Sequence, residues 1–127
     1  MATSILLVDA DANFRRALRI ALTLDGVAVG EAATLDEARA ALQQQRWDCA
    51  LVDLLLPCGE GASVLELLEQ VSNLGVVVCS AHAELLASHV GRHVVLEKPF
   101  SPQALLGTVG RILGSAAAQP CSAVERR

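Results

Sequence analysis

Short apolar runs separated by stretches of helical period set the layout of this chain. Residues 5–8, 27–32, 49–53, 75–79 and 93–96 form runs of four to six residues. They are too short for core helices and too continuous for strands with one wet face. Between them, apolar residues recur every three or four positions. Five such repeats predict an α/β domain of βα units, with a parallel sheet buried on both faces between two helical layers.

The first helix is predicted over 12–24, with Asp11 as its N-cap, Gly26 as its stop, and Phe14, Leu18, Ala21 and Leu22 facing inward. The same wheel turns Arg15, Arg16 and Arg19 outward. Thr34 and Glu37 form a capping box for a second helix that buries Leu35, Ala38, Ala41 and Leu42. A turn from Pro57 through Gly61 leads to a third helix over 62–71. The fourth, over 83–90 and ended by Gly91, has barely two turns. In the fifth, Ser101 caps, Pro102 takes the first helical position, and Leu105, Leu106, Val109, Ile112 and Leu113 supply the buried stripe. Beyond Gly114 the periodicity stops, so the expectation is a domain over 1–114 and a flexible tail over 115–127.

At 127 residues, with 53% apolar and 19% charged positions, the chain is sized for one domain with a real core. Mean hydropathy is high at +0.44, yet Asp9, Asp53, Glu84 and Glu97 break every apolar stretch before the roughly 18 residues a membrane span needs. The first run is too short for a signal-peptide core, so a cytoplasmic location without a membrane partner is expected. A net charge of −4 gives no basic footprint for direct nucleic-acid binding. Cys49, Cys58, Cys79 and Cys121 lack a C-x-x-C pair and read as small buried hydrophobes. His82, His89 and His93 lack metal-ligand spacing and read as surface residues. Nucleotide-loop motifs are missing, and three aromatics are too few to flank a flavin.

The polar residues that end the apolar runs carry the chemistry. Asp9 closes the first run, Asp53 the third, Ser80 the fourth and Lys98, the only lysine, the fifth. In doubly wound sheets, ligands gather beyond the carboxyl ends of the strands. A carboxylate within Leu51-Val52-Asp53-Leu54-Leu55-Leu56 must find a cation. Lys98, or a divalent metal, can serve. Two carboxylates, a hydroxyl and an ammonium on one rim suit phosphoryl chemistry, with oxygens for Mg²⁺, a nucleophile and donors for phosphoryl oxygens.

The ordered set Ile5-Leu6-Leu7-Val8-Asp9, Leu51 to Pro57 with Gly61, Val78-Cys79-Ser80-Ala81 and Lys98-Pro99-Phe100 resembles the response-regulator receiver domain of two-component signalling. The resemblance covers roughly residues 4–113. It implies a flavodoxin-like fold of strand order 2-1-3-4-5. It also implies a phosphorelay signalling domain rather than an enzyme, with Asp53 as phosphoacceptor from a phosphohistidine. Lys98 would bind a phosphoryl oxygen. Ser80 would be the switch hydroxyl, and small Ala81 would leave access open. A cis bond is implied at Lys98-Pro99. Mg²⁺ would lie on Asp9, Asp53 and the Leu55 carbonyl. The implied partners are a sensor histidine kinase or histidine phosphotransfer protein, docked on the Arg15, Arg16 and Arg19 face, and an output protein. No output domain is expected in this chain, which reads either as a stand-alone receiver or as a piece of a longer protein.

Three departures modify that expectation. The position of the family's second acidic residue after the first strand is Ala10, which weakens Mg²⁺ binding and leaves Asp11 or Glu60 as candidates for an extra oxygen. The family's aromatic switch position is Val95, with His93 as a candidate substitute. The fourth helix is about one turn short. These favour, as the alternative, a receiver-like interaction module independent of phosphorylation. A further alternative takes Val8-Asp9-Ala10-Asp11 as the D-x-D pair of a haloacid-dehalogenase-type phosphatase, although no Asp follows Asp53 to complete its metal site.

Overall fold

Strands and helices alternate along residues 3–117, the part of the chain that the computed structural model describes. In chain order they are β1 (Ser4–Val8), α1 (Ala12–Leu24), β2 (Ala28–Ala32), α2 (Leu35–Gln44), β3 (Cys49–Asp53), α3 (Glu60–Glu69), β4 (Gly75–Ser80), α4 (Ala83–Ala87), β5 (Val94–Glu97) and α5 (Pro102–Ala117). The sheet is parallel throughout with the order β2-β1-β3-β4-β5, the flavodoxin-like arrangement that the family resemblance implies.

The apolar runs are continuous because successive side chains enter different cores. Leu6, Val8, Ala50, Val52 and Val78 pack with Ala38 and Ala41 of α2, Val64, Leu65 and Leu68 of α3, and Leu86 of α4. Their neighbours Ile5, Leu7, Leu51, Val77 and Cys79 pack on the other face with Leu18 and Leu22 of α1 and Leu105 and Val109 of α5. The central strands β1 and β3 therefore have no polar face to offer water.

Helix starts follow the predicted chemistry with one addition. Asp11 Oδ1 accepts from the amides of Asn13 and Phe14 at 3.0 and 3.1 Å. Thr34 Oγ1 accepts from Glu37 N at 3.1 Å, but the Glu37 carboxylate reaches back to Ala33 N at 2.7 Å, one residue before the cap. The Leu35 amide at the start of α2 donates instead to Glu60 Oε1 at 2.9 Å. An acid at the start of α3 thus caps its neighbour. Ser101 Oγ accepts from Ala104 N at 3.0 Å, as predicted.

Several expectations need correction. Helix α3 starts at Glu60 rather than at 62, because the 3₁₀ turn Pro57–Gly59 and left-handed Gly59 (φ 69°) already align the next residue. It ends at Glu69, short of 71. Helix α4 stops at Ala87, three residues before the predicted end. The amides of Arg92 and His93 both donate to the His89 carbonyl, and Gly91 (φ 89°) reverses the chain. His93 consequently bridges Val90, and β5 opens at Val94. As an edge strand, β5 leaves Val94 and Glu97 exposed rather than buried on both faces. Helix α5 passes through Gly114 to Ala117, so residues 115–117, expected in the tail, are helical. The remainder of the expected tail, with Cys121, lies outside the described residues.

The side chains bring further corrections. Cys49 and Cys79 are buried, and burial pushes the Cys49 thiol up to about 12, but Cys58 is exposed. The histidines are not all surface residues either. His82 is exposed, whereas the His93 side chain is only 12% exposed, with Nε2 2.6 Å from Glu69 Oε2 and its ring 5.7 Å from that of half-buried His89.

Gly61 and Gly107 are both helical, with opposite surroundings. A Cβ on Gly61 would land on the Leu54 carbonyl oxygen, whereas one on Gly107 meets open space. Gly61→Ala is therefore expected to lower stability by roughly 1–3 kcal/mol in urea denaturation, as overpacking does. Gly107→Ala is expected to raise it by about 0.5–1 kcal/mol through helix propensity.

Candidate functional site

The strand order places β1, β3, β4 and β5 side by side, so the residues that end them line one edge of the sheet. Asp53 pairs in register with Cys79, and Ser80 with Glu97. Hydrogen bonds prolong the ladder past the strands. Asp9 N donates to Ala32 O, Leu54 N to Cys79 O and Lys98 N to Ser80 O, all at 2.9–3.0 Å. Asp9, Asp53, Ser80 and Lys98 are thus drawn to one rim by the sheet itself.

One local device recurs at three strand ends. A side-chain oxygen accepts from the amide two residues on: Asp9 Oδ1 from Asp11 N at 2.9 Å, Asp53 Oδ1 from Leu55 N at 2.9 Å, and Ser80 Oγ from His82 N at 3.0 Å. Short polar side chains make such turns readily where a ladder ends. In both aspartates the bond fixes one oxygen and leaves the other free to face the rim.

Those free oxygens meet on one cation. Lys98 Nζ donates to Asp9 Oδ2 at 2.6 Å and to Asp53 Oδ2 at 2.8 Å. Asp9 is 3% exposed and Asp53 7%. The Lys98–Pro99 bond is cis. Burial lifts the Asp9 pKa, and the nearby Asp53 charge adds to that. The hydrogen bonds from Lys98 and the Asp11 amide oppose the rise without cancelling it. Burial alone would depress the Lys98 pKa, but its hydrogen bonds to Asp53 and Asp9 and their two charges carry it above the usual lysine value. The ammonium is the counter-ion that the two buried carboxylates share.

A second ionic cluster supports the loop after β1. Arg15 Nε donates to Glu31 Oε1 at 2.9 Å, Arg19 Nη1 donates to Glu31 Oε2 at 3.0 Å, and Arg15 Nη1 also donates to the Asp9 carbonyl. Burial would raise the Glu31 pKa, but the two guanidinium groups outweigh it and hold that carboxylate below its usual range. Arg15 was expected to face outward, yet its side chain is only 14% exposed. Helical period cannot reveal this, because the partner that draws it in sits on β2. Arg16 and Arg19 are exposed as expected. Glu31, at the end of the second apolar run, is the site-supporting residue that sequence reasoning missed.

The other predicted site residues fall in different places. Asp11 Oδ1 caps α1, and Glu60 Oε1 accepts from the first amide of α2, so each of these extra-oxygen candidates has one oxygen committed to a helix start. The contacts of Asp11 also give no support to its role as the acid of a D-x-D phosphatase pair. Ala81 is exposed next to buried Ser80, and half-buried Val95 supplies no ring. Among the described residues no group of three or more His, Cys, Asp or Glu side chains is placed to hold a metal ion. The acidic oxygens that face the rim are those of two carboxylates, Asp9 and Asp53. Mg²⁺ can use so few protein oxygens when water completes its shell, so these residues fit the ion as a weak, water-rich site.

Removing the ammonium should expose its role. Lys98→Met leaves two buried carboxylates facing each other and is expected to cost about 2–4 kcal/mol at pH 7, somewhat less than a fully buried broken pair because solvent reaches the ammonium. Because the Asp9 pKa is already raised, the deficit should shrink as the pH falls and that carboxyl takes a proton. In the wild type the Lys98 contribution is fully present below the ordinary lysine pKa and is lost as the pH climbs through its higher folded value. Urea denaturation across pH measures both.

Comparison with known proteins agrees with this fold. Residues 5–110 match the family profile described as the response regulator receiver domain. The chain is 38% identical over 119 residues to the C4-dicarboxylate transport transcriptional regulatory protein DctD of Pseudomonas aeruginosa, covering 87% of this chain and 25% of that protein. It is 36% identical over 102 residues to the KDP operon transcriptional regulatory protein KdpE of Escherichia coli, covering 77% of this chain and 45% of the other. The chain thus spans less than half the length of these curated relatives. Among solved structures, a CheY-like response regulator receiver domain protein from Methanospirillum hungatei JF-1 superposes with a TM-score of 0.77 at 25% identity, covering 89% of this chain and 94% of that one.

Proposed function

Because this chain belongs to the response regulator receiver domain family, we propose that it accepts a phosphoryl group from a phosphohistidine onto Asp53 and signals through the resulting change at the rim. Receiver domains are signalling domains that work with sensor histidine kinases and output domains. The observation that carries the finer reading is the bridge from Lys98 Nζ to Asp53 Oδ2 at 2.8 Å and Asp9 Oδ2 at 2.6 Å.

The step follows from the roles of these atoms. An Asp53 oxygen attacks phosphorus as the phosphorus–nitrogen bond to the donor histidine breaks. The electron pair of that bond stays on the imidazole, and the product is an acyl phosphate. Asp53 Oδ1 is steadied by the Leu55 amide, so its carboxylate is oriented before the donor arrives. Lys98 shifts one of its donor N–H groups from a carboxylate to a phosphoryl oxygen, which neutralises charge without importing a new cation. Ser80 gives up the His82 amide to donate its hydroxyl to the phosphoryl group, and small Ala81 leaves that approach open. Receiver domains generally bind Mg²⁺ at this acidic site; here Asp9, Asp53 and the Leu55 carbonyl would hold it, and it would supply further charge neutralisation on phosphoryl oxygens.

A small phosphodonor with Mg²⁺, followed by intact mass, tests the reading. The wild type should gain one phosphate-sized increment that Asp53→Asn does not. No increment on wild-type protein that binds Mg²⁺ would favour the second reading, an interaction module independent of phosphorylation. That alternative draws on Ala10, on the five-residue α4 and on the missing ring at Val95.

The same geometry makes a prediction about the metal. Ala10 is exposed beside Asp9 and brings no oxygen. Ala10→Asp is expected to tighten Mg²⁺ binding about tenfold, roughly 1.4 kcal/mol, by calorimetric titration. An unchanged affinity would mean that position 10 does not face the ion.

A further inference from the structure

The chain has two phenylalanines, one tryptophan and no tyrosine; one phenylalanine lies on its single lysine and the other on that ring. The Phe14 ring centroid is 4.1 Å from Lys98 Nζ, within the range of a cation–π contact. Phe100 meets Phe14 edge to face, with centroids 5.6 Å apart and planes at 89°. The arrangement is closed on itself. Phe14 is fixed by its own amide, which donates to the Asp11 cap at 3.1 Å. Phe100 follows Lys98 and Pro99, so the segment that brings the ammonium also brings the brace for the ring.

An ammonium has three N–H donors. Two go to Asp9 Oδ2 and Asp53 Oδ2, and the Phe14 ring is the third neighbour. A ring differs from a carboxylate in a way that matters at this rim: it attracts the cation but cannot take its proton. It therefore keeps hold of Lys98 while the carboxylate bonds are exchanged for a bond to a phosphoryl oxygen. Ala10 brings no carboxylate to that task.

We propose that Phe14, braced by Phe100, is a positioning residue that holds the Lys98 ammonium on the Asp9–Asp53 bridge for phosphoryl acceptance, an inference that rests on the phosphoacceptor reading above. Phe14 touches no reacting atom. Its effect passes entirely through Lys98.

The test compares Phe14→Leu, which keeps an apolar side chain without a π face, with Phe14→Tyr, which keeps the face. The rate of phosphorylation by a small phosphodonor should fall about fivefold in Phe14→Leu and return to within about twofold of wild type in Phe14→Tyr. Because Lys98 is the only lysine, ¹³C-lysine labelling gives one Cε signal whose relaxation reports the mobility of that side chain. It should be rigid in wild type, mobile in Phe14→Leu and rigid again in Phe14→Tyr, with all three proteins giving cooperative thermal unfolding. Equal rates and equal Lys98 mobility in wild type and Phe14→Leu would overturn the proposal. If wild type takes no phosphate, the phosphoacceptor reading fails by itself. The relaxation data then decide the positioning role alone: a mobile Lys98 in Phe14→Leu sustains it, and an unchanged one overturns it. Should Phe14→Leu not fold, Phe100→Leu, which removes only the brace, takes its place with the same two readouts and a smaller loss of rate.

Discussion

Two carboxylates at the ends of neighbouring strands, both taken out of water, can remain charged only if a cation is held between them. Asp9 follows β1 and Asp53 ends β3, and these strands are adjacent at the centre of the sheet. Each charge loses several kcal/mol of hydration on burial, while opposite charges a few ångströms apart regain roughly 4 kcal/mol at an effective dielectric near 20. One partner is therefore not enough for two acids unless it reaches both. Lys98 does so from the far edge of the sheet, bonded to each within hydrogen-bonding distance. The rest of the fold can be read as what brings that ammonium to that place. Parallel order aligns the strand ends, and two apolar cores leave the rim as the polar outlet of the sheet centre.

Around this bridge, preorganisation comes from short local contacts. The turns at Asp9 and Asp53 spend one carboxylate oxygen on the backbone and present the other. Arg15 ties the Asp9 carbonyl to Glu31, so the loop after β1 is held by β2 as well as by α1. Ala10 lies inside that supported loop. Its missing oxygen reduces what the site can offer a metal while leaving the bridge intact.

Much of this was legible in the sequence, and the exceptions have physical causes. The central strands could be read because a strand buried on both faces has no polar interruption, and the rim residues stood out because each ended an apolar run. The method weakens at β5, where an edge strand exposes Val94 and Glu97 and where His93, expected as its first residue, belongs to a separate bridge. Helical period put Phe14 inside and Arg15 outside. The first was right, and the second failed because Glu31 on β2 satisfies the guanidinium that the helix alone would leave in water. For the same reason Glu60, weighed as a metal ligand, turns out to cap α2. Periodicity describes one element against a generic core and does not register a specific partner on another element. The stacking of Phe100 on Phe14 and of Phe14 on Lys98 was likewise visible only once α1 and the segment after β5 were set side by side.

The central claim is that the Lys98 ammonium is shared by Asp9 and Asp53, and the single lysine makes it directly observable. In ¹⁵N-lysine-labelled protein at neutral pH, an ammonium held by two carboxylates should give one Nζ–H₃ signal whose protons exchange slowly with water. The signal should carry scalar or nuclear Overhauser connections to the aspartate neighbourhood, and Asp9→Asn and Asp53→Asn should each speed its exchange. An ammonium that exchanges as fast as free lysine in the wild type, or one that is indifferent to either substitution, would contradict the account.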